Sequence, residues 1–204
     1  MFEILFRITD AINDTITSEE LDDIIYNRGG DISGYFAINV NGYHHGQYHN
    51  YPLQPGEHGF EQLTNWFLSL FYAYQELNRS GYVLISELNS CGWIELRKIH
   101  DSVQINIIYA EKPNGTTTVR LTPLEEYEYG SWYIQYAKDG KIHDESVDRR
   151  GESVKLSRFR SELLRKAAQY LEELYEINPK LLNNKRIAEL EALATPTMRG
   201  VNVK

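Results

Sequence analysis

Residues 82–110 read YVLISELNSCGWIELRKIHDSVQINIIYA, and their hydrophobic pattern indicates the fold class most directly. Val103, Ile105 and Ile107 alternate with polar residues. That is the two-residue period of a β-strand with one buried face. Turn sequences NSCG, HDS and, just beyond this stretch, PNG separate four strand-like runs, at Tyr82–Leu88, Trp93–Ile99, Val103–Ala110 and Thr116–Thr122. The stretch therefore predicts an antiparallel β-meander.

The strand pattern extends to both sides of this meander. The segment Gly34–Val40 is rich in β-formers, and the Asn41-Gly42 pair that follows it is the strongest short-range signal for a β-hairpin. Its return strand is expected at Tyr43–Tyr48. A further strand (or a short helix) is expected at Phe2–Ile8, and Trp132–Ala137 with Lys141–Val147 is expected to form a hairpin around Asp139-Gly140.

Apolar residues at three- and four-residue steps predict helices elsewhere. The clearest case spans Glu57–Asn78, with Phe60 on its apolar face and Gly81 as its end. Helices are also expected at Ser157–Ile177, with Ser157 as the N-cap, at about Leu181–Ala194, and after the capping box that begins at Thr17.

Together these elements predict a single α+β domain over residues 1–195. It is mainly an antiparallel sheet with a central amphipathic helix and C-terminal helices from about residue 157. Residues 196–204 are expected to form a flexible tail.

The composition is that of a soluble globular protein. The chain has 204 residues, of which 42% are hydrophobic and 25% charged. Its one cysteine, Cys91, cannot form an internal disulfide, which fits a reducing compartment. The N-terminus lacks the pattern of a secretory signal, and the apolar window Trp66–Tyr74 is too short to cross a bilayer. We therefore expect a cytoplasmic protein with no membrane partner.

The net charge of −8 is unevenly distributed. Residues 1–148 contain 9 basic and 22 acidic residues, a balance of −13, whereas residues 149–204 contain 12 and 7, a balance of +5. The acidic part repels nucleic acid and favours basic partners, although such charge also serves solubility. In the basic part, Arg158, Glu162 and Lys166 form an i, i+4 ladder, which predicts a solvated helix face rather than a nucleic-acid contact.

Motifs for catalysis are missing from the sequence. It contains no phosphate-binding glycine loop, no nucleophile elbow and no paired-cysteine motif. We therefore predict no catalytic residues, no cofactor and no enzymatic activity.

Four of the six histidines lie close together in the sequence, at His44, His45, His49 and His58. With Glu57 they suggest an alternative function, a metal-dependent hydrolase. On a strand, however, His45 and His49 would stand about 13 Å apart, which is too far for one tetrahedral ion. The pattern favours surface or turn histidines, and no metal site is predicted.

A stretch of acidic and aromatic residues precedes the Trp132–Ala137 strand. Tyrosine and tryptophan give large contact area at low entropic cost, and carboxylates beside them would select a basic partner. The same aromatics in a strand also suit cross-strand packing. The predicted partner-binding residues are Glu125, Glu126, Tyr127, Glu128, Tyr129, Trp132 and Tyr133.

The chain as a whole is small and acidic, with 15 tyrosines, no catalytic motif and sheet segments such as Tyr82–Leu88 and Gly92-Trp93. In this profile it resembles the immunity proteins that neutralise bacterial polymorphic or contact-dependent toxins. The resemblance implies tight binding to one cognate toxin and occlusion of its active surface. An accessory domain that binds a peptide at an exposed sheet edge is a further alternative.

Overall fold

The computed structural model describes residues 1–9, 31–86, 92–109, 116–120, 133–137 and 151–195. These described residues divide into two compact units, those up to Leu163 and those from Leu164 to residue 195. Antiparallel sheets and helices together confirm the predicted α+β class. The limits of a domain at 1–195 stay a prediction.

The first sheet has four strands, and one of them is central to the other three. Strand β1 is Phe2–Ile8, β2 is Ser33–Val40, β3 is Tyr43–Gln47 and β4 is Glu61–Gln62. Strand β2 pairs with β1 along one edge, and with both β3 and β4 along the other. Asn41 and Gly42 both have positive φ, at 52° and 91°, which confirms the predicted hairpin turn.

The second sheet has six strands in the order β10-β7-β6-β5-β9-β8, and all its pairings are antiparallel. Three strands of the predicted meander lie side by side at its centre, but the predicted fourth, Thr116–Arg120, pairs with Tyr133–Ala137 instead. The strands are β5 Tyr82–Ser86, β6 Gly92–Ile99, β7 Ser102–Tyr109, β8 Thr116–Arg120, β9 Tyr133–Ala137 and β10 Glu152–Lys155.

The central helix, α1, runs from Leu63 to Ser80 and begins six residues later than the periodicity predicts. The carboxylate of Asp31 accepts hydrogen bonds from the backbone N–H groups of Thr64 and Asn65, both at 2.7 Å. These bonds satisfy two of the helix's unpaired N-terminal donors. Phe60 therefore lies outside the helix, and its predicted place on the apolar face is wrong.

The buried face of α1 packs on β2. The Trp66 ring stacks on Phe36 with centroids 4.7 Å apart, and Phe67 meets the edges of Phe36 and Phe6. Full burial of each such side chain stabilises the fold by about 1.5–3 kcal/mol. Gly81 ends the helix in the left-handed conformation, as predicted.

A second long helix, α2, spans Leu156–Ile177 and follows directly on β10. Its first turns lie in the first unit, where Phe159 packs on Phe2. Glu162 is buried, and its Oε1 accepts a hydrogen bond from the backbone N–H of Ile4 at 3.1 Å. The prediction that Arg158, Glu162 and Lys166 form a solvated ladder is therefore wrong for Glu162, because its carboxylate is buried against the backbone N–H of Ile4 in β1.

In the second unit, α2 continues to Ile177 and Asn178 ends it. A 3-10 helix, Pro179–Asn183, then precedes helix α3, Lys185–Ala194. The side chain of Asn184 caps α3, so this helix begins four residues later than predicted.

Within the described residues no helix is long and apolar enough to span a membrane. The predicted helix after Thr17, the Lys141–Val147 strand and the 196–204 tail lie outside them.

Candidate interaction surface

Exposed aromatic side chains are concentrated on β3 and the loop that follows it. Phe60 is 80% exposed and Tyr51 60%, and Tyr43 and Tyr48 are also exposed. We call these four residues the aromatic edge. β3 borders only β2, and no other described strand covers its outer side. These side chains are spread along one border of the sheet. Tyr43 pairs with Val40 at one end of β2, and Phe60 precedes Glu61, which pairs with Gly34 near the other end.

The loop of the aromatic edge, residues 48–60, is closed by a cluster of polar side chains. The Oε1 atom of Glu57 accepts hydrogen bonds from the Tyr35 hydroxyl at 2.9 Å and from His49 Nε2 at 2.5 Å. Because an ionised carboxylate only accepts, the hydrogen of the imidazole lies on Nε2. The Tyr51 ring stacks on His49, and its backbone carbonyl accepts a hydrogen bond from Arg7. The cluster ties the loop to β1 and β2.

These contacts shift the pKa values of Glu57 and Tyr35. The backbone N–H of Gln54, then the Tyr35 hydroxyl and His49, hold the pKa of Glu57 below its ordinary value. Burial, followed by the nearby Glu57 carboxylate, raises the pKa of Tyr35. Each shift favours the hydrogen-bonded pair of a neutral phenol and an ionised carboxylate.

Two glycines allow the loop and β3 to approach β2 closely. A Cβ on Gly59 would stand 2.1 Å from the carbonyl of Gly34, and one on Gly46 would stand 2.3 Å from the Phe36 oxygen. Gly46 also has a φ of +99°. Since no side chain fits at either place, these glycines set the path of the aromatic edge.

A buried carboxylate lies in the second sheet. Glu95 is 0% exposed, and its Oε1 accepts hydrogen bonds from the Tyr82 hydroxyl at 2.9 Å and from Arg97 at 2.5 and 2.8 Å. Its Oε2 accepts one from Asn106 Nδ2 at 2.5 Å. Burial and then the Glu95 charge raise the pKa of Tyr82. These hydrogen bonds pair the buried Glu95 carboxylate, which would destabilise the core if it had no partner.

A pocket of about 160 Å³ lies where β2 and β3 face β7 and the start of β10. Its apolar lining includes Ile38, Val40 and Ile105, and Tyr43 of the aromatic edge also borders it. Asn106 contributes too. It is 4% exposed, and its Oδ1 is buried without a hydrogen-bond partner.

The structure does not assemble the histidines into a metal centre. His44 and His45 lie on β3, His49 pairs with Glu57, and His58 is exposed in the loop. In the described part of the chain, no group of three or more His, Cys, Asp or Glu residues could hold a metal ion. The metal-hydrolase alternative stays a prediction that these residues do not test.

The predicted partner-binding stretch lies mostly outside the described residues, which exclude Glu125, Glu126, Tyr127, Glu128, Tyr129 and Trp132. Tyr133 is the first residue of β9 and pairs with Arg120 of β8. The role of these residues stays a prediction. Sequence reasoning missed the aromatic edge, because it placed Phe60 in a helix. The signal that could have revealed the edge was the run of tyrosines among the prolines Pro52 and Pro55.

Comparison of the chain with protein-family models, with curated proteins and with solved structures finds no match.

Proposed function

We propose that this chain is a protein-binding inhibitor of the immunity type. It neutralises a basic protein, such as a toxin, by covering that protein's active surface, and it acts in the cytoplasm. The observation that carries the proposal is the exposed aromatic edge, with Phe60 80% and Tyr51 60% exposed. Large aromatic side chains are the residues that most often supply binding energy in protein interfaces.

The closed loop supports the same proposal. Glu57, His49 and Tyr35 hold residues 48–60 against β2 in the free protein. A surface that is already ordered loses less conformational entropy when it binds. The charge balance of −13 over residues 1–148 would speed encounter with a basic partner.

The test uses the basic protein encoded beside this chain's gene. Binding is measured by surface plasmon resonance in low and high salt, together with the activity of that protein with and without the chain. We expect a stable complex, an association rate that falls as salt rises, and loss of the partner's activity at equimolar chain. No binding, or binding without inhibition, would contradict the proposal.

The open side of β3 favours a second candidate function, an accessory domain that binds an extended peptide as an added strand. The two functions differ in what carries the affinity. Strand addition relies on backbone hydrogen bonds along Tyr43–Gln47, whereas inhibition through the aromatic edge relies on side chains. Amide hydrogen exchange of β3 in the complex separates them, because only strand addition protects its outward amides.

A further inference from the structure

The outer side of β3 presents two residues whose backbone groups point away from the sheet. The two-residue turn of the β2–β3 hairpin makes Val40 and Tyr43 a hydrogen-bonded pair. Such pairs alternate along antiparallel strands with pairs that make no backbone bond, so every second residue of β3 from Tyr43 onwards bonds to β2. The N–H and C=O groups of His44 and Gly46 therefore face outwards, and both residues are exposed.

The other edge of this sheet is covered in a way that β3 is not. There the backbone N–H of Ile4 in β1 donates to the buried Glu162 carboxylate of α2 at 3.1 Å. In the described part of the chain no residue outside β2 makes a backbone hydrogen bond to His44 or Gly46. An exposed strand edge of this kind is a template for the addition of another strand.

The pocket of about 160 Å³ borders this edge and lies on one defined face of it. Its apolar lining comes from Ile38 and Val40 of β2 and from Ile105 and Ile107 of β7. Directly paired residues project their side chains to the same face, and His45 is paired with Ile38. A residue opposite His45 on an added strand would therefore project to the pocket's face. Since an apolar cavity of about 150 Å³ holds benzene, one branched aliphatic side chain fits.

A carboxylate stands on the same face of the pocket. Glu152 is paired with Ile105 and lines the pocket. Its Oε2 accepts a hydrogen bond from Asn41 Nδ2 in the hairpin turn at 2.7 Å, so it lies near the end of β3 that begins at Tyr43. Within the described residues Glu152 takes part in no ion pair. A basic side chain opposite Tyr43 on an added strand would complement this charge.

We propose that β3 binds an extended segment of a partner protein as an antiparallel strand, with an apolar side chain in the pocket and a basic side chain two residues later. The apolar residue stands opposite His45, and its two neighbours bond to Gly46 and His44. Antiparallel pairing is the more stable kind and is the only kind among the described strands. The inference rests on the second candidate function, strand addition, and specifies the sequence that is added.

The experiment titrates the ¹⁵N-labelled chain with the peptide acetyl-Thr-Leu-Thr-Lys-Thr-amide and follows the backbone amide NMR signals. Peptides with serine for leucine and with glutamate for lysine are titrated in parallel. We expect saturable shifts at His44, Gly46 and Ile38 with the first peptide. Its affinity should exceed that of the serine peptide at least about tenfold and that of the glutamate peptide about threefold. No saturable shift, or equal affinity of the leucine and serine peptides, overturns the proposal.

Two singly N-methylated forms of the first peptide test the backbone bonds. Methylation of the threonine after leucine removes the N–H that bonds to the His44 carbonyl, and we expect binding at least about tenfold weaker. Methylation of the leucine changes an N–H that points away from β3, so affinity should stay within about twofold. The opposite result would indicate parallel pairing and overturn the proposed orientation.

Two variants with the same change in charge test the carboxylate. Glu152→Gln keeps an oxygen for Asn41, and with it the lysine and glutamate peptides should bind about equally. Glu191→Gln removes an exposed charge in the second unit and should preserve the difference between them. Equal effects of the two variants overturn the role of Glu152.

The outcomes for the peptide and for the basic partner are separable. Equal affinity of the leucine and serine peptides, with the N-methylation effect intact, overturns the sequence preference and leaves strand addition standing. A partner complex in which the outward amides of β3 stay unprotected contradicts strand addition and leaves inhibition through the aromatic edge. Peptide binding without any basic partner refutes only the proposed inhibitor.

Discussion

His49 Nε2 lies 2.5 Å from Glu57 Oε1, and this pair connects the two ends of the loop that carries the exposed aromatic residues. The same Glu57 oxygen accepts from Tyr35 of β2, so the loop is attached to the sheet and not only to itself. A surface loop with exposed tyrosine rings thus has a defined conformation before any partner arrives. An ordered loop would lose less conformational entropy on binding a partner than a disordered one.

We predict that Glu57→Gln weakens the closure of the loop in a pH-dependent way. The pKa of Glu57 is lowered in the folded state, so the stability that its charge contributes is present above its ordinary pKa of 4.5. That contribution is lost as the pH falls through the lower, folded-state pKa. The difference in melting temperature between the wild type and Glu57→Gln should therefore be largest near neutral pH and shrink in acid.

Thermal unfolding followed from neutral pH to about pH 3 checks this prediction. Hydrogen exchange at neutral pH should show faster exchange confined to residues 48–58 in the variant. Glu191→Gln serves as the control of equal charge, and should change neither measurement. A difference that stays constant over the whole pH range would show that Glu57 acts through packing rather than through its charge.

We predict that Asp31→Ala destabilises the start of α1 by about 1–2 kcal/mol. The Asp31 carboxylate accepts hydrogen bonds from the backbone N–H groups of Thr64 and Asn65. The side chain of the N-cap residue Gln62 makes no capping hydrogen bond that could take over this role. Denaturant unfolding gives the loss in free energy. Asp31→Asn, which retains one acceptor oxygen, should lose about half as much.

Asp101 supplies the contrast, because it is an aspartate whose side chain is 70% exposed and contacts Lys155 at the surface. Asp101→Ala should lose much less stability than Asp31→Ala, since exposed ion pairs contribute little. Similar losses for both aspartates would argue against a specific capping role for Asp31.

The Asp31 cap also explains how far the sequence could predict the fold. Local patterns suffice for the meander, for the Asn41-Gly42 hairpin and for the end of α1 at Gly81, because each depends on neighbouring residues. The start of α1 depends on a carboxylate more than thirty residues earlier in the chain. Periodicity cannot reveal such a bond, so Phe60 was assigned to the core although it is largely exposed.

The candidate site was less predictable for the same reason. The four histidines are close in sequence but lie in different places. His44 and His45 are on β3, His49 pairs with Glu57, and His58 is exposed in the loop. The pocket joins β2 and β3 to Gly151 and Glu152, which lie more than a hundred residues further along the chain. β10 lies beside β7 through their antiparallel pairing, and Asn41, in the turn between β2 and β3, donates a hydrogen bond from Nδ2 to Glu152 Oε2 at 2.7 Å.

We predict that Tyr82→Phe costs about 1 kcal/mol at neutral pH, because it removes the hydrogen bond from the hydroxyl to Glu95. Burial and the Glu95 charge raise the pKa of Tyr82 in the folded state above its ordinary 10.0. The stability that its neutral form contributes is therefore complete below pH 10.0 and is lost as the pH rises through the folded-state pKa.

Urea unfolding at neutral and at alkaline pH measures this effect. The wild type should lose its advantage over Tyr82→Phe above about pH 10. Tyr175→Phe, at an exposed position in the second unit, should match the wild type throughout. An advantage of the wild type that persists in alkali would contradict the assignment of the raised pKa to Tyr82.

We predict that Phe60 contributes to binding and not to folding. Phe60→Ala should change the free energy of unfolding by less than about 0.5 kcal/mol, because the ring is 80% exposed. The same variant should weaken binding of the basic partner at least about tenfold, which is about 1.4 kcal/mol.

Phe67→Ala is the matched control. Its ring is fully buried, so this change should cost about 3–5 kcal/mol of stability. Denaturant unfolding and surface plasmon resonance on both variants separate the two roles. If Phe60→Ala keeps full partner affinity, the aromatic edge is not the binding surface, and the search moves to Tyr133 and the acidic stretch before it.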